Sequence, residues 1–294
     1  MPELPEVETI KRQLGQDLIG QKIKMIKVLS PKNFIGEVEK VVGKKIIGVE
    51  RRAKVIMVKL EGDCCLLIHL KLTGQLIYLP VRQTQSSSVD KRINLDGKQS
   101  GPFVVGQLPN NFTRIIITFD SGHLFFNDLR KFGWVKVVEN CQEESQKEFK
   151  NFGPEALGQD FSLAYFKQVL SKSRRAIKLV LLDQKKLAGV GNIYANEALF
   201  MAKIDPRRPA NSLSDLEIKK LRLATRDVLA QAIKKGGTTA NDDAYRQANG
   251  KVGTFQKYLQ VYGRTGQSCP NCSGQIERIK LGGRGTFFCS QCQK

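Results

Sequence analysis

The 294-residue sequence predicts an α+β protein. It should open with a helix on an antiparallel β-sandwich and continue as a helical domain closed by a small cysteine-bounded module. Three observations predict this. Residues 5–18 place Val7, Ile10, Leu14 and Leu18 on one helical stripe. Between 22 and 138, short β-branched runs follow one another with turn residues but no helix among them. After about 150 the apolar spacing becomes helical, until two Cys-x-x-Cys pairs end the chain.

Each element can be read in order. The first helix stops at Gly20, and strands are predicted over 22–29, 44–50, 54–60, 64–70, 75–79, 113–119, 123–127 and 133–138. Glu61-Gly62-Asp63, Asp120-Ser121-Gly122 and Gly133 punctuate them. So many short strands in succession favour a sandwich. The stretch 81–112 is poor in apolar residues and reads as a mobile insertion between strands. Helices are predicted over 162–171, 174–183, 192–202 and 214–235, the last with the capping box Ser214-x-x-Glu217 and a stop at Gly236-Gly237. The predicted domains are 2–139, 150–262 and 263–294.

Charge narrows the partner. Lys and Arg exceed Asp and Glu by 48 to 28, a net +20. Such an excess draws polyanions, and nucleic acid is the obvious one. The basic residues are not gathered on one amphipathic helix, which disfavours a membrane surface. No apolar run approaches the ~18–20 residues of a span, and the N-terminus lacks the long apolar core of a secretion signal. A cytoplasmic, nucleoid-associated monomer is the expectation.

The N-terminus reads Met1-Pro2-Glu3-Leu4-Pro5-Glu6-Val7-Glu8. Loss of Met1 would expose the secondary amine of Pro2. A terminal amine titrates near ~8, so part of it is a free nucleophile at neutral pH. Carboxylic acids within one turn could handle its protons. Alone, the same residues read as Pro5 opening a helix whose dipole favours Glu6 and Glu8 in the first turn.

Cys269, Cys272, Cys289 and Cys292 form two C-x2-C pairs separated by sixteen residues. A hairpin between them would gather four thiolates around one tetrahedral zinc ion with no open position, a structural site. A redox dithiol is the competing reading, and the paired spacing favours zinc. Between the pairs, Gly282-Gly283-Arg284-Gly285 puts one guanidinium at the hairpin tip, suited to a phosphate or simply to a tight turn. Cys64, Cys65 and Cys141 show no spacing logic, and seven cysteines without a signal argue against a disulfide framework. In the middle, Gly189-Val190-Gly191-Asn192 places Asn192 as an N-cap, where exposed amides could hold a phosphate. The basic run Lys172–Lys178 reads as part of a solvated helix face.

Together, Pro2–Glu8, Arg51-Arg52-Ala53-Lys54, Ile68-His69-Leu70, Arg130-Lys131-Phe132-Gly133, Gly189–Tyr194, Leu259–Arg264 and the four-cysteine module resemble the bacterial formamidopyrimidine-DNA glycosylases. The matches run in order along the whole chain apart from 81–112. The resemblance implies a β-sandwich joined to a helix–two-turn–helix domain and a zinc finger. It implies an enzyme that excises oxidised purines, chiefly 8-oxoguanine and formamidopyrimidines, from damaged double-stranded DNA and then cuts the strand. Pro2 is implied as the nucleophile, Glu3 as the acid toward the sugar ring oxygen and Glu6 as a supporting carboxylate. Lys54, His69, Asn192 and Arg284 are implied to grip phosphates. Leu72, Arg130 and Phe132 are implied to fill the gap left by the extruded base.

Two departures from the family pattern stand out. Leu72 replaces a usual methionine, a nearly isosteric change, and Thr238 to Gln247, implied to close over the extruded base, is long and carries Asp242-Asp243. An endonuclease VIII type acting on oxidised pyrimidines, and a non-catalytic DNA-binding relative, are the alternatives.

Overall fold

The computed structural model describes residues 1–81, 93–94, 107–141, 148–239 and 244–294. The chain divides into two compact units, Met1–Lys150 with Lys235–Gln256, and Asn151–Lys234 with Lys257–Lys294. Residues 235–256, which the sequence reading keeps within 150–262, therefore cluster with the first unit.

The first unit opens with helix α1 (Leu4–Leu18), whose Val7, Ile10, Leu14 and Leu18 enter the core as the stripe predicts. Each fully buried aliphatic side chain is worth about 1.5–3 kcal/mol, against about 1 kcal/mol for an N-cap. The stripe therefore anchors α1, and the cap only sets where it begins.

Strands β1 (Ile23–Val28), β6 (Gly74–Pro80), β9 (Thr113–Phe119) and β10 (Gly122–Asp128) form one sheet in the order β1-β9-β10-β6. Strands β2 (Phe34–Ile35), β3 (Ile46–Arg52), β4 (Val55–Leu60), β5 (Cys64–His69) and β11 (Trp134–Glu139) form the other, ordered β2-β11-β5-β4-β3. Alternate side chains such as Ile56, Ile68, Ile115 and Phe126 share one core with α1. One pairing departs from the antiparallel prediction: β2 runs parallel to β11.

Part of the predicted insertion is structural. Strands β7 (Ile93–Asn94) and β8 (Gln107–Leu108) pair with each other. Leu108 is buried with Ile77, Leu79, Ile116 and Phe125 on the other face of the first sheet, and the Phe112 carbonyl accepts the Asp128 amide at 2.9 Å. The rest of 81–112 lies outside the described residues, apart from Val81 and 109–112.

The second unit contains α2 (Leu163–Ser171), α3 (Ile177–Leu181), α4 (Asn192–Met201), α5 (Asp215–Lys234) and the hairpin β12 (Glu277–Leu281) with β13 (Arg284–Phe288). The α5 capping box forms, Ser214 N–H donating to Glu217 Oε2 at 2.7 Å. Helix α3 is shorter than the predicted 174–183. Ala176 is extended, at φ −51° and ψ 134°, and forms a bridge with Pro209, so 173–176 is a connector rather than a basic helical face. Among the described residues no helix is long and apolar enough to cross a membrane.

Candidate active site and nucleic-acid contacts

Pro2 is buried immediately ahead of Glu3, the N-cap of α1. Glu3 and Glu6 form a reciprocal capping box, with the Glu3 N–H donating to Glu6 Oε2 at 2.7 Å. The other oxygen of Glu6 accepts the Thr238 N–H at 2.8 Å. Glu6 is only 1% exposed. Its carboxylate thus ties the chain end to residues 237–238 of the same unit. Gly237 is required there: its φ is +81°, and a Cβ would stand 2.9 Å from Glu6 Oε1. Tyr245 donates its hydroxyl to Gly236 O at 3.0 Å, and the Ala248 N–H reaches Gln13 Oε1 at 2.8 Å. Residues 240–243, including Asp242-Asp243, lie outside the described residues.

The remaining first-unit residues emerge at one end of the five-stranded sheet. Arg52 pairs with Val55, Val55 with His69 and His69 with Trp134, a single row across four strands. The turns that leave this row carry Lys54, then Leu72, then Arg130 and Phe132. Each turn contains a non-glycine residue in the left-handed region just before an implied contact: Ala53 (φ 52°), Lys71 (φ 53°) and Lys131 (φ 55°). Such conformations cost of order 1 kcal/mol or more each and persist only where the surroundings impose them. Glycine marks none of these positions, so the sequence gives no warning of them.

The surroundings are visible at Ala53. Arg51 donates Nη1 to the Ala53 carbonyl at 2.7 Å and Nε to Glu8 Oε2 at 2.9 Å, while Arg12 holds the other Glu8 oxygen at 2.7 Å. Burial opposes the charge on Glu8, but Arg12 and Arg51 hold its carboxyl below the usual range. Glu8 is therefore more than a first-turn dipole charge.

At His69, Nδ1 accepts the Lys71 N–H at 2.9 Å, which places the ring proton on Nε2. Burial first, then Lys71 and Lys54, push its pKa down to about 3. His69 is a neutral donor at physiological pH. Phe132 is 49% exposed beneath the Arg130 guanidinium, 5.3 Å from its ring centre, whereas Leu72 is half-buried.

In the second unit Asn192 is the first residue of α4, and the N-cap is Gly191. The side chain does not cap. Its Nδ2 donates to the Gly285 carbonyl at 3.1 Å, so it holds the hairpin. Lys178, fully buried, donates to the same carbonyl and to Thr286 Oγ1, each at 2.8 Å. The basic run of 172–178 thus hides one buried lysine that sequence reading treats as solvated. Gly282-Gly283 make the two-residue turn at φ 55° and 75°, leaving Arg284 exposed at the start of β13.

Glu197, also unforeseen, accepts three amides: Gln260 at 2.8 Å, Val261 at 3.0 Å and Tyr262 at 2.8 Å. Burial raises its carboxyl pKa despite these bonds. Its partners are more than sixty residues away in sequence, beyond any local pattern.

The four cysteines meet as predicted. Cys269 and Cys292 Sγ lie 3.6 Å apart, as do Cys272 and Cys289, and all four sulfurs fall within 4.8 Å of one another. Zinc–sulfur bonds of about 2.3 Å arranged tetrahedrally give sulfur separations of about 3.8 Å, so the set fits one structural zinc ion. Amides of Asn271 and Gly274 donate to the Cys269 and Cys272 sulfurs, at 3.4 and 3.3 Å, which stabilises thiolates and fixes their direction.

Three family models match along the chain: the formamidopyrimidine-DNA glycosylase N-terminal domain over residues 1–135, its H2TH domain over 152–243, and the zinc finger found in FPG and IleRS over 266–294. Formamidopyrimidine-DNA glycosylase of Listeria monocytogenes is 40% identical over 300 residues, covering all of both chains. That of Desulfitobacterium hafniense is 40% identical over 298 residues, again covering all of both. The crystal structure of the MutM (FPG) protein of Thermus thermophilus superposes with a TM-score of 0.84 at 37% identity, over 99% of this chain and 98% of that one. Lactococcus lactis Fpg, solved in complex with abasic-site DNA, gives 0.83 at 34% identity over all of both chains. The chain belongs to the formamidopyrimidine-DNA glycosylase family.

Proposed function

We propose that this protein is a base-excision-repair DNA glycosylase that removes oxidised purines from duplex DNA and then cleaves the strand as a lyase. The observation that carries the reading is the head of α1, where Pro2 adjoins a cap whose amide is gripped by the buried Glu6. An imino acid held in this way is a fixed nucleophile once Met1 is removed.

The Pro2 nitrogen lone pair bonds to C1′ as the glycosidic bond breaks, and the base leaves with a proton. Glu3 protonates the sugar ring oxygen, which opens the ring and leaves an iminium. Because Pro2 is a secondary amine, that iminium is permanently charged. It withdraws electrons from C1′ and acidifies the C2′ proton, whose loss expels the 3′ phosphate; the conjugated iminium then acidifies the C4′ proton, whose loss expels the 5′ phosphate. Water finally releases Pro2. Lys54, His69, Asn192 and Arg284 contact phosphates in this reading. Leu72, Arg130 and Phe132 occupy the space of the extruded base, the apolar groups restoring stacking and the guanidinium meeting the orphaned base. The net +20 draws the duplex, and a nucleoid-associated monomer fits that task.

Borohydride added during incubation with a duplex carrying 8-oxoguanine opposite cytosine should leave a covalent adduct, with mass analysis placing the link at Pro2. Pro2→Gly should weaken strand cleavage far more than DNA affinity. Binding without any adduct would reject the catalytic reading, and faster excision of thymine glycol would reject the purine preference.

A further inference from the structure

Asp128, at the end of β10, is 1% exposed and uses both carboxylate oxygens on loops that carry contact residues. Oδ1 accepts the Thr73 hydroxyl and the Arg130 N–H at 3.2 Å. Oδ2 accepts the Gly133 N–H at 2.7 Å. The Arg130 N–H also reaches Thr73 Oγ1 at 3.1 Å. Thr73 directly follows Leu72, and the Asp128 clamp on Arg130 and Gly133 encloses Phe132. Asp128 is itself fixed, its amide on the Phe112 carbonyl at 2.9 Å and its carbonyl on Arg114 Nε at 2.8 Å. The sheet register sets Asp128 opposite Gly74, so the two loops leave neighbouring strands at the same level.

We propose that Asp128 and Thr73 are positioning residues that lock the Leu72 loop and the Arg130–Phe132 loop into one rigid insert for the lesion-bearing duplex. The inference rests on the reading that Leu72, Arg130 and Phe132 fill the vacated base position. A wedge and a ring can replace stacking only if their mutual geometry is held while DNA is unstacked around them. Each loop has a left-handed residue, Lys71 or Lys131, and His69 Nδ1 already holds the Lys71 amide. The shared carboxylate and hydroxyl add the constraint between the loops, and they transmit a displacement of one loop to the other.

The test is a mutant cycle read on single-turnover excision of 8-oxoguanine from duplex DNA, in the full-length protein. Thr73→Val removes the hydroxyl that joins the loops and should lower excision roughly tenfold, the scale of losing a buried bond to a charged group. Thr73→Ser, which restores the hydroxyl, should recover to within about twofold of wild type. In a Leu72→Ala/Arg130→Ala/Phe132→Ala background, Thr73→Val should have little further effect, because the side chains it positions are gone. Full additivity of Thr73→Val in that background, or failure of serine to rescue, would overturn the proposal while leaving the gap-filling reading intact. If the triple alanine variant excises at the wild-type rate, the gap-filling reading fails and takes this proposal with it.

Discussion

Glu6 and Thr238, 232 residues apart and both buried in the first unit, meet through a 2.8 Å bond from the Thr238 N–H to Glu6 Oε1. The second Glu6 oxygen is already committed to the Glu3 amide. One side chain therefore fixes both the head of α1 and the glycine-rich turn leading into residues implied to cover the extruded base. Glu6→Gln can keep its remaining oxygen on the Glu3 amide, which preserves the head of α1, and then turns its NH2 toward the Thr238 N–H. A buried bond lost in this way costs about 1–3 kcal/mol. Excision of 8-oxoguanine should fall by about tenfold or more, while cleavage of a preformed abasic site, which has no base to cover, should fall much less. Equal losses on the two substrates would remove the link to base capture.

Arg51 offers a second probe. It is 8% exposed and joins Glu8 on α1 to the Ala53 carbonyl in the turn ahead of Lys54. Arg51→Met leaves a mostly buried Glu8 short of a partner and frees the left-handed turn. Breaking a buried pair from one side costs about 3–5 kcal/mol. Arg12 remains on Glu8, so the lower end of that range is expected in a denaturant melt. DNA affinity should drop in parallel with that of Lys54→Met, and Arg51→Met should add little once Lys54 is gone.

These two networks mark where legibility in the sequence stops. Helix α1 and eight strands are readable because their apolar periods are long enough to count. Phe34–Ile35 is not, since two residues carry no period, and Leu108 is masked by its polar neighbours. The four cysteines stand out because local spacing carries their chemistry, whereas Pro2 and Glu3 take their implied roles only from the family resemblance. Glu8, Asp128, Lys178 and Glu197 do not, because each has at least one partner distant in sequence and their residue types usually mean surface. Asn192 is recognisable as a turn residue, but only the fold turns its amide onto Gly285 rather than onto its own helix.

His69 makes a prediction in pH. Its ordinary pKa of 6.5 is pushed down to about 3 by burial and by Lys71 and Lys54. Between those values the unfolded chain binds a proton that the folded one refuses. Stability from this group is therefore complete above pH 6.5 and declines as pH falls toward 3, by up to about 1.4 kcal/mol per pH unit. The imidazole Cε1–H resonance should stay flat from pH 8 to 5. A neutral donor displaces no counterion, so His69→Gln should weaken DNA binding with no change in its salt slope, whereas Lys54→Met should lower the slope by about one. A titration midpoint near 6.5 would contradict the half-buried neutral ring.

Zinc removal tests how far the finger is independent. Its cysteines pack with Phe200, Val261 and Ile276 in one cluster. Cys289 N–H donates to Gln293 Oε1 at 2.9 Å, and Gln293 Nε2 donates to Ile204 O at 2.8 Å, which ties the metal loop to the segment after α4. Thiolates 3.6 Å apart repel once the ion that holds them is withdrawn. Chelation should thus expose amides in 257–294 and around Asn196, whose Oδ1 accepts the Phe287 N–H at 2.9 Å, with DNA binding reduced through loss of Arg284. The first unit carries its own core of α1 and two sheets, so its protected amides should exchange as before. Hydrogen exchange read by mass spectrometry separates these outcomes. Deprotection of β4 and β5 on chelation would mean that the metal supports the whole fold.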